Sequence, residues 1–218
     1  MKDRYSLIVG LLFLILIGVA TLHALGGGGS VTLGLDRLPA RWPLPEFAVP
    51  AAAGPLEGDA NISQDDCETS QMPCPASAQR VPACEIRTTG AIRVCDLFDR
   101  PLVLSFWFTK PGDCADQQDV VDAAYRRYRG RVNFLSIDVR DDRETVRDLI
   151  HEHDWKMPVG YDHDGAVAAL YRVGACPTFA FAYPGGTLEG ADFGELTGSQ
   201  LNARVRQLLL ATKTAEPR

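Results

Sequence analysis

From about residue 81 onward, apolar and polar positions fall into blocks with strand and helix periods. Leu102–Phe108 (LVLSFWF) and Val132–Val139 (VNFLSIDV) are continuous apolar runs of strand length, suited to burial on both faces. Between them, Ala115–Arg129 places Val120, Ala124 and Tyr128, with Val121 and Tyr125, on one helical face. Asp142–Asp154 does the same with Val146, Leu149, Ile150 and His153. A short segment at Met157–Tyr161, a helix near Gly165–Tyr171 and a strand at Thr178–Tyr183 follow. Pro184-Gly185-Gly186 turns the chain back into a last strand. Thr197 or Ser199 is placed to cap a final helix that aligns Leu201, Val205, Leu208 and Leu209. Upstream, Glu85–Arg87 and Ile92–Val94 flank Thr88-Thr89-Gly90-Ala91, which reads as a β-hairpin. Buried strands joined through helices imply a right-handed parallel βαβ unit, and the closing strand pair implies an antiparallel extension. Together they predict an α/β fold with a mixed central sheet flanked by helices.

The pattern before residue 81 is different. Residues 6–25 carry no charge, long enough for a bilayer core of about 30 Å, and Lys2 and Arg4 precede them. This predicts a cytoplasmic N-terminus at 1–5, a transmembrane signal anchor at 6–25 and an extracytoplasmic remainder, tethered to the cell membrane by a single pass. A cleaved signal peptide is the competing reading. The length of the run and the poor small-x-small site at Leu22-His23-Ala24 favour the anchor. Residues 26–80 open with Gly26-Gly27-Gly28-Gly29-Ser30 and contain Pro39, Pro43, Pro45, Pro50 and Pro55. They are read as a flexible linker with a cysteine-containing insertion, interrupted at most by one short edge strand at Glu46–Val49. The folded domain is then 81–212, with a tail at 213–218.

Composition adds little to the fold but narrows the function. Of 218 residues, 46% are hydrophobic and 23% charged, which excludes wholesale disorder. A net charge of −6 gives no basis for nucleic-acid binding. Six cysteines point to an oxidising compartment. Cys67, Cys74, Cys84 and Cys95 match no common zinc spacing, so disulfides are the expectation and no metal is implied. Cys67 and Cys74 would close a local loop. Counting outward from Thr89-Gly90 sets Cys84 opposite Cys95, whereas a one-residue slip pairs Ile86 with Val94 and parts the cysteines. His151-Glu152-His153-Asp154 looks metal-rich, but i and i+2 point apart on a helix, so it reads as a polar helix end. Asp162-His163-Asp164-Gly165 reads as an acidic turn with Asp164 available as a cap. Trp107 and Trp155 are expected in core or groove positions.

Two segments, Leu102–Cys114 (LVLSFWFTKPGDC) and Tyr171–Gly186 (YRVGACPTFAFAYPGG), resemble the thioredoxin superfamily. Within it they resemble the membrane-anchored TlpA-like thiol-disulfide oxidoreductases and redoxins. Pro45-Glu46-Phe47 also resembles the short opening strand of redoxins. The resemblance covers about residues 81–212. It implies a thioredoxin-like sheet in which a Phe-Trp strand leads to a Cys-x-x-Cys helix start, beside a cis proline at Pro177. It implies no cofactor, and protein thiols or disulfides as redox partners.

The same alignment exposes two departures. Pro111 occupies the first cysteine position and Cys114 the second, so ordinary dithiol cycling within one helix turn is unavailable. Cys176 stands directly before Pro177, where the resemblance implies proximity to the helix start. Cys114 and Cys176 are therefore read as a non-adjacent redox pair, against a structural disulfide or two thiols that merely pack. A non-catalytic binding module on the same fold is the alternative function. A peroxiredoxin-like peroxidase is a second alternative. Counting back from Cys114, however, Pro111 and Trp107 replace that motif's Thr and Pro, Thr109 is out of register, and Asp113 would oppose a thiolate.

Overall fold

The computed structural model describes residues 41–57, 82–110 and 112–215. The expected anchor at 6–25, the cysteines at 67 and 74, and Pro111 all lie outside the described residues.

Strand β1 (Ala48–Pro50) pairs antiparallel with β2 (Ala91–Arg93). The main sheet comprises β3 (Leu102–Trp107), β4 (Asn133–Val139), β5 (Val159–Asp162), β6 (Thr178–Tyr183) and β7 (Thr187–Phe193). Its order is β5-β4-β3-β6-β7, with β3, β4 and β5 parallel and β6 and β7 antiparallel. The helices are α1 (Gln117–Tyr128), α2 (Arg143–Glu152), α3 (Ala166–Leu170) and α4 (Gly198–Ala215). The mixed α/β architecture expected from the hydropathy blocks is therefore present, with a helix in each parallel crossover.

Strand alternation sorts the core into two layers. Val103, Trp107, Phe134, Phe179 and Phe181 pack with Val121, Ala124 and Tyr128 of α1 and with Leu201, Val205 and Leu208 of α4. The opposite-facing residues Leu102, Leu104, Phe106, Leu135, Ile137 and Ala180 pack with α3 and with Leu44, Phe47 and Val49. Helix α4 begins with a capping box. The Thr197 hydroxyl accepts from the Gln200 amide at 3.3 Å, and the Gln200 side-chain oxygen accepts from the Thr197 amide at 2.8 Å. Helix α2 is capped by Asp142, which accepts from the Thr145 amide at 3.0 Å.

Two expectations need correction. Residues 43–52, assigned to a flexible linker, are part of the fold. The Leu44 amide donates to Gly186 and Pro43 bridges Thr187, which covers part of the β7 edge. Farther on, the Ala52 amide donates to Val159 and Ala51 bridges Gly160, which covers part of the β5 edge. The segment is thus a strap across one face of the sheet, tied at both edges. Its prolines forbid helix but not edge pairing, where a missing N–H is no loss. Arg143 and Arg147 hold its far end, donating to the carbonyls of Ala51, Ala52 and Gly54. Gly160 permits the crossing, because a Cβ there would lie 2.6 Å from Val49 Cγ2. The strand expected at Glu46–Val49 is observed two residues later at its start and one later at its end.

The second correction is the hairpin. The turn at Thr88–Ala91 forms, but Ala83–Glu85 is a 3-10 turn and residues 85–87 are not a strand. The ladder partner of β2 is β1, and the Arg93 guanidinium donates to the carbonyls of Cys84 and Ile86 at 3.2 Å each. A side chain thus satisfies acceptors that a hairpin would have paired with backbone amides. Cys84 and Cys95 are nevertheless bonded, with Cα atoms 5.7 Å apart, because the 3-10 turn at Val94–Leu97 lies against the one at Ala83–Glu85.

Phe47 is fully buried and meets the Tyr171 ring edge-on at 5.6 Å. Phe47→Ala should therefore destabilise the protein by about 3–5 kcal/mol, as for other buried aromatic truncations. Denaturant unfolding measures this, and a loss below 1 kcal/mol would show that the strap is not integral.

Candidate functional site

The site is built where β3 ends and β6 begins. Phe106 is the register partner of Thr178 across the antiparallel pair, so the loop after β3 and the turn before β6 emerge at the same end of the sheet. The first loop runs from Phe108 to α1. Its course is set by Asp141, which accepts from both the amide and the hydroxyl of Thr109 at 2.6 Å. The Cys114 amide then donates back to the Phe108 carbonyl at 3.2 Å. Asp113 accepts from the Ala115 amide at 3.1 Å, and Gln117 N–H from the first turn of α1 reaches the Cys114 carbonyl at 3.3 Å.

The second loop contains the Cys176–Pro177 peptide, which is cis. The Thr178 hydroxyl donates to Ala175 at 2.6 Å, and the Pro177 carbonyl accepts from Gly194 at 2.9 Å. Both features hold the turn from within the fold.

Cys114 and Cys176 are joined by a disulfide, with Cα atoms 6.1 Å apart, inside the usual range of about 4.4–6.8 Å. Both residues are half-buried. Cys114 packs against the α1–α4 core layer. The Phe108 carbonyl touches both halves of the bond, since Cys176 Sγ lies 3.7 Å from the oxygen that already accepts from Cys114 N–H. The bond thus spans two elements and 62 sequence positions. Opening it by a thiolate is the chemistry this arrangement offers.

Three buried polar features support this end of the sheet. Gln118 lies four residues after Cys114, in the first turn of α1, and is fully buried; it donates to the Ser105 hydroxyl at 3.1 Å and accepts from the Ser136 hydroxyl at 2.8 Å. The chain ties α1 to β3 and β4. Gln117, also buried, donates to the Leu196 carbonyl at 3.0 Å and accepts from the Leu196 amide at 2.9 Å. Asp138 is the register partner of Trp107 and is fully buried, beside Asp141. Burial pushes its pKa up to about 9, and the Asp141 carboxylate acts in the same direction, against a backbone hydrogen bond at Asp141 that lowers it. At the end of β5, burial also raises Asp162, to about 6, against the stabilising amides of Ala168 and Val167.

Asp164 accepts from the Ala166 amide at 3.0 Å, but the buried cap of α3 is Asp162. His153 reaches Asp119 at 2.9 Å, beside the Trp155 Nε1–H that donates to the same oxygen at 2.6 Å. Trp107 and Trp155 are both buried, packed edge to face at 5.5 Å. Asp138 and the two glutamines were absent from the sequence expectations. A carboxylate inside the run VNFLSIDV was the one available signal for Asp138.

The sequence profile of the AhpC/TSA family matches residues 78–190, half of the chain. The chain belongs to the AhpC/TSA family. Over 120 residues it is 27% identical to the thiol-disulfide oxidoreductase ResA of Oceanobacillus iheyensis. That match covers 55% of this chain and 62% of the relative, less than two thirds of its length. Among solved structures, it resembles a DsbF homologue from Corynebacterium diphtheriae, with a TM-score of 0.58 and 15% identity over 83% of this chain and 95% of that one. It also resembles the thioredoxin domain of a thiol-disulfide oxidoreductase from Bacteroides vulgatus, at 0.54 and 12% over 79% and 99%. At such identities the likeness is one of fold: this family member has the mixed-sheet thioredoxin fold.

Asp138 gives the site a pH signature. Its carboxyl has an ordinary value of 3.8 and a folded value of about 9. Between those values the native state keeps a proton that the unfolded chain has lost. Stability should therefore fall as pH rises through that window, by up to about 1.4 kcal/mol per pH unit from this group. Asp138→Asn should remove that slope and raise stability above pH 7. Urea melts from pH 4 to 9 test this, and an unchanged slope in the variant would refute it.

Proposed function

We propose that this protein is a thiol-disulfide oxidoreductase whose redox couple is Cys114 and Cys176, and that residues 6–25 tether it to the membrane on the extracytoplasmic side. The observation that carries the redox reading is a half-buried disulfide joining the start of α1 to the cis-proline turn. The tether reading draws on the uncharged run after Lys2 and Arg4.

In the oxidising direction, a thiolate of a partner dithiol attacks one sulfur of the Cys114–Cys176 bond. That bond breaks, a mixed disulfide forms, and the other cysteine leaves as a thiolate. The partner's second thiolate then attacks the mixed disulfide, releasing the remaining protein cysteine and closing a disulfide in the partner. Two electrons pass to the protein, and its two thiolates take protons from water. A partner disulfide is reduced by the same steps in reverse. Pro111 at the first cysteine position means that the second sulfur must come from another element, and Cys176 supplies it.

The peroxidase alternative draws no support from Thr109, whose hydroxyl is committed to Asp141. The binding-module alternative predicts a bond that does not turn over. Cys114→Ser should abolish exchange with a protein dithiol in the oxidoreductase. In a binding module the same variant should leave partner capture intact and lower stability by about 2–5 kcal/mol. Stopped-time alkylation with peptide mapping after mild reduction, alongside oxidation of a reduced model protein, separates the two. A wild-type Cys114–Cys176 bond that resists mild reduction would reject the redox reading.

A further inference from the structure

We infer that Gln117 is a positioning residue for the Cys114–Cys176 couple: its side-chain amide latches the start of α1, just after Cys114, to the loop that buttresses the cis-proline turn, and so sets the effective concentration of the two thiols. The inference rests on the redox reading above.

The hydrogen bonds form a path between the cysteines that does not pass through sulfur. Gln117 N–H donates to the Cys114 carbonyl, fixing the start of α1 against that residue. The Gln117 side chain then makes a two-bond pair with the Leu196 backbone, at 3.0 Å to its carbonyl and 2.9 Å from its amide. Two residues earlier, the Gly194 amide donates to the Pro177 carbonyl at 2.9 Å, next to Cys176. Directly after Leu196, the Thr197–Gln200 capping box anchors the same loop to α4. Both ends of the path are thus fixed to regular structure.

Gln117 is only 6% exposed and its partner Leu196 is half-buried, so the pair is largely shielded from competing water. An amide is suited to the task because one terminal group both donates and accepts, and it carries no charge that titrates with the thiols.

The energetic consequence follows from mass action within one chain. The latch and the disulfide hold the same two segments, so each is favoured when the other is present. With the disulfide reduced, the latch keeps the thiols facing each other and reclosure needs little reordering. Without the latch, the reduced state gains freedom that the oxidised state lacks. The disulfide then becomes easier to reduce. A purely structural hydrogen bond would instead destabilise both redox states alike and leave the potential unchanged.

The test uses the full chain equilibrated with reduced and oxidised dithiothreitol. In that reaction the protein disulfide takes two electrons and two protons from the reagent, which closes to its cyclic disulfide. Differential alkylation and peptide mass mapping read Cys114 and Cys176 alone. Gln117→Ala and Gln117→Leu should both lower the equilibrium constant for the protein disulfide about tenfold, equal to about 30 mV toward easier reduction. The leucine variant keeps side-chain volume and loses the amide. Equilibrium constants within twofold of wild type, or a leucine variant that matches wild type while alanine shifts, would overturn the proposal. A second measurement needs no variant. Reduction of the wild-type protein should speed hydrogen exchange at the Leu196 amide about tenfold, by the same reciprocity, and unchanged protection would overturn the latch. A wild-type couple that equilibrates with dithiothreitol but neither oxidises nor reduces a protein substrate ends the oxidoreductase reading. The variant titrations still decide the latch in that case. A couple that dithiothreitol does not reach in the folded chain overturns both.

Discussion

The antiparallel pairing of β6 against β3 is the constraint on which the rest depends. β3 is fully buried along its six residues, so its neighbours are fixed by packing on both faces as well as by the ladder. Because β6 runs the other way, its first residue lies beside the penultimate residue of β3, Thr178 opposite Phe106. Cys176 precedes that pair by two residues and Phe108 follows it by two. No choice of side chain is needed to bring the two loops together; topology does it. A parallel β6 would have sent its first turn to the opposite end of the sheet, far from α1. Side chains then decide how closely the loops meet, through the Thr109–Asp141 clamp, the Phe108 carbonyl shared by both cysteines, and the Gln117–Leu196 pair.

The same dry sheet makes its polar residues expensive and therefore informative. Ser105, Gln118 and Ser136 form a closed hydrogen-bonded set, and a satisfied network in a core adds orientation without a large penalty. Asp138 is the opposite case. Burial beside the Asp141 carboxylate holds it in the neutral form. It lies beside Trp107, whose indole Nε1 is buried as well.

Much of this was readable from the chain. The blocks LVLSFWF, VNFLSIDV and TFAFAY are strands to within a residue, because buried strands leave an unbroken apolar run that helices of this size do not. The resemblance of LVLSFWFTKPGDC and YRVGACPTFAFAYPGG to the thioredoxin superfamily identified Cys114, Cys176 and Pro177 as neighbours, and the structure places them together. The strap was not legible, since residues 43–52 have proline-rich local chemistry and gain their order from both sheet edges and from arginines about ninety positions away. The hairpin at 85–94 failed for a related reason. Local alternation was present, but Arg93 and β1 offered better partners than the facing strand. Gln117 was invisible because its partners are backbone atoms of Leu196, which no periodicity reveals.

A bond between two elements also ties redox state to fold stability, in a way a bond within one helix turn does not. Closing a loop across 62 positions removes about 4 kcal/mol of chain entropy from the unfolded state in the loop-closure model. A thermodynamic cycle makes that number reciprocal: whatever the disulfide adds to the stability of the fold, the fold adds to the stability of the disulfide. A couple that only had to hold the domain together would be best served by making this coupling as large as possible. A couple that must hand its electrons on needs a moderate one, so that the reduced protein remains folded and the bond remains reversible. The described structure meets the first of these needs without sulfur. The sheet register, the Gly194–Pro177 bond and the Gln117–Leu196 latch already keep both loops in place. With position held by hydrogen bonds and packing, opening the disulfide would not release the elements that carry it, which is the property that the proposed exchange chemistry requires.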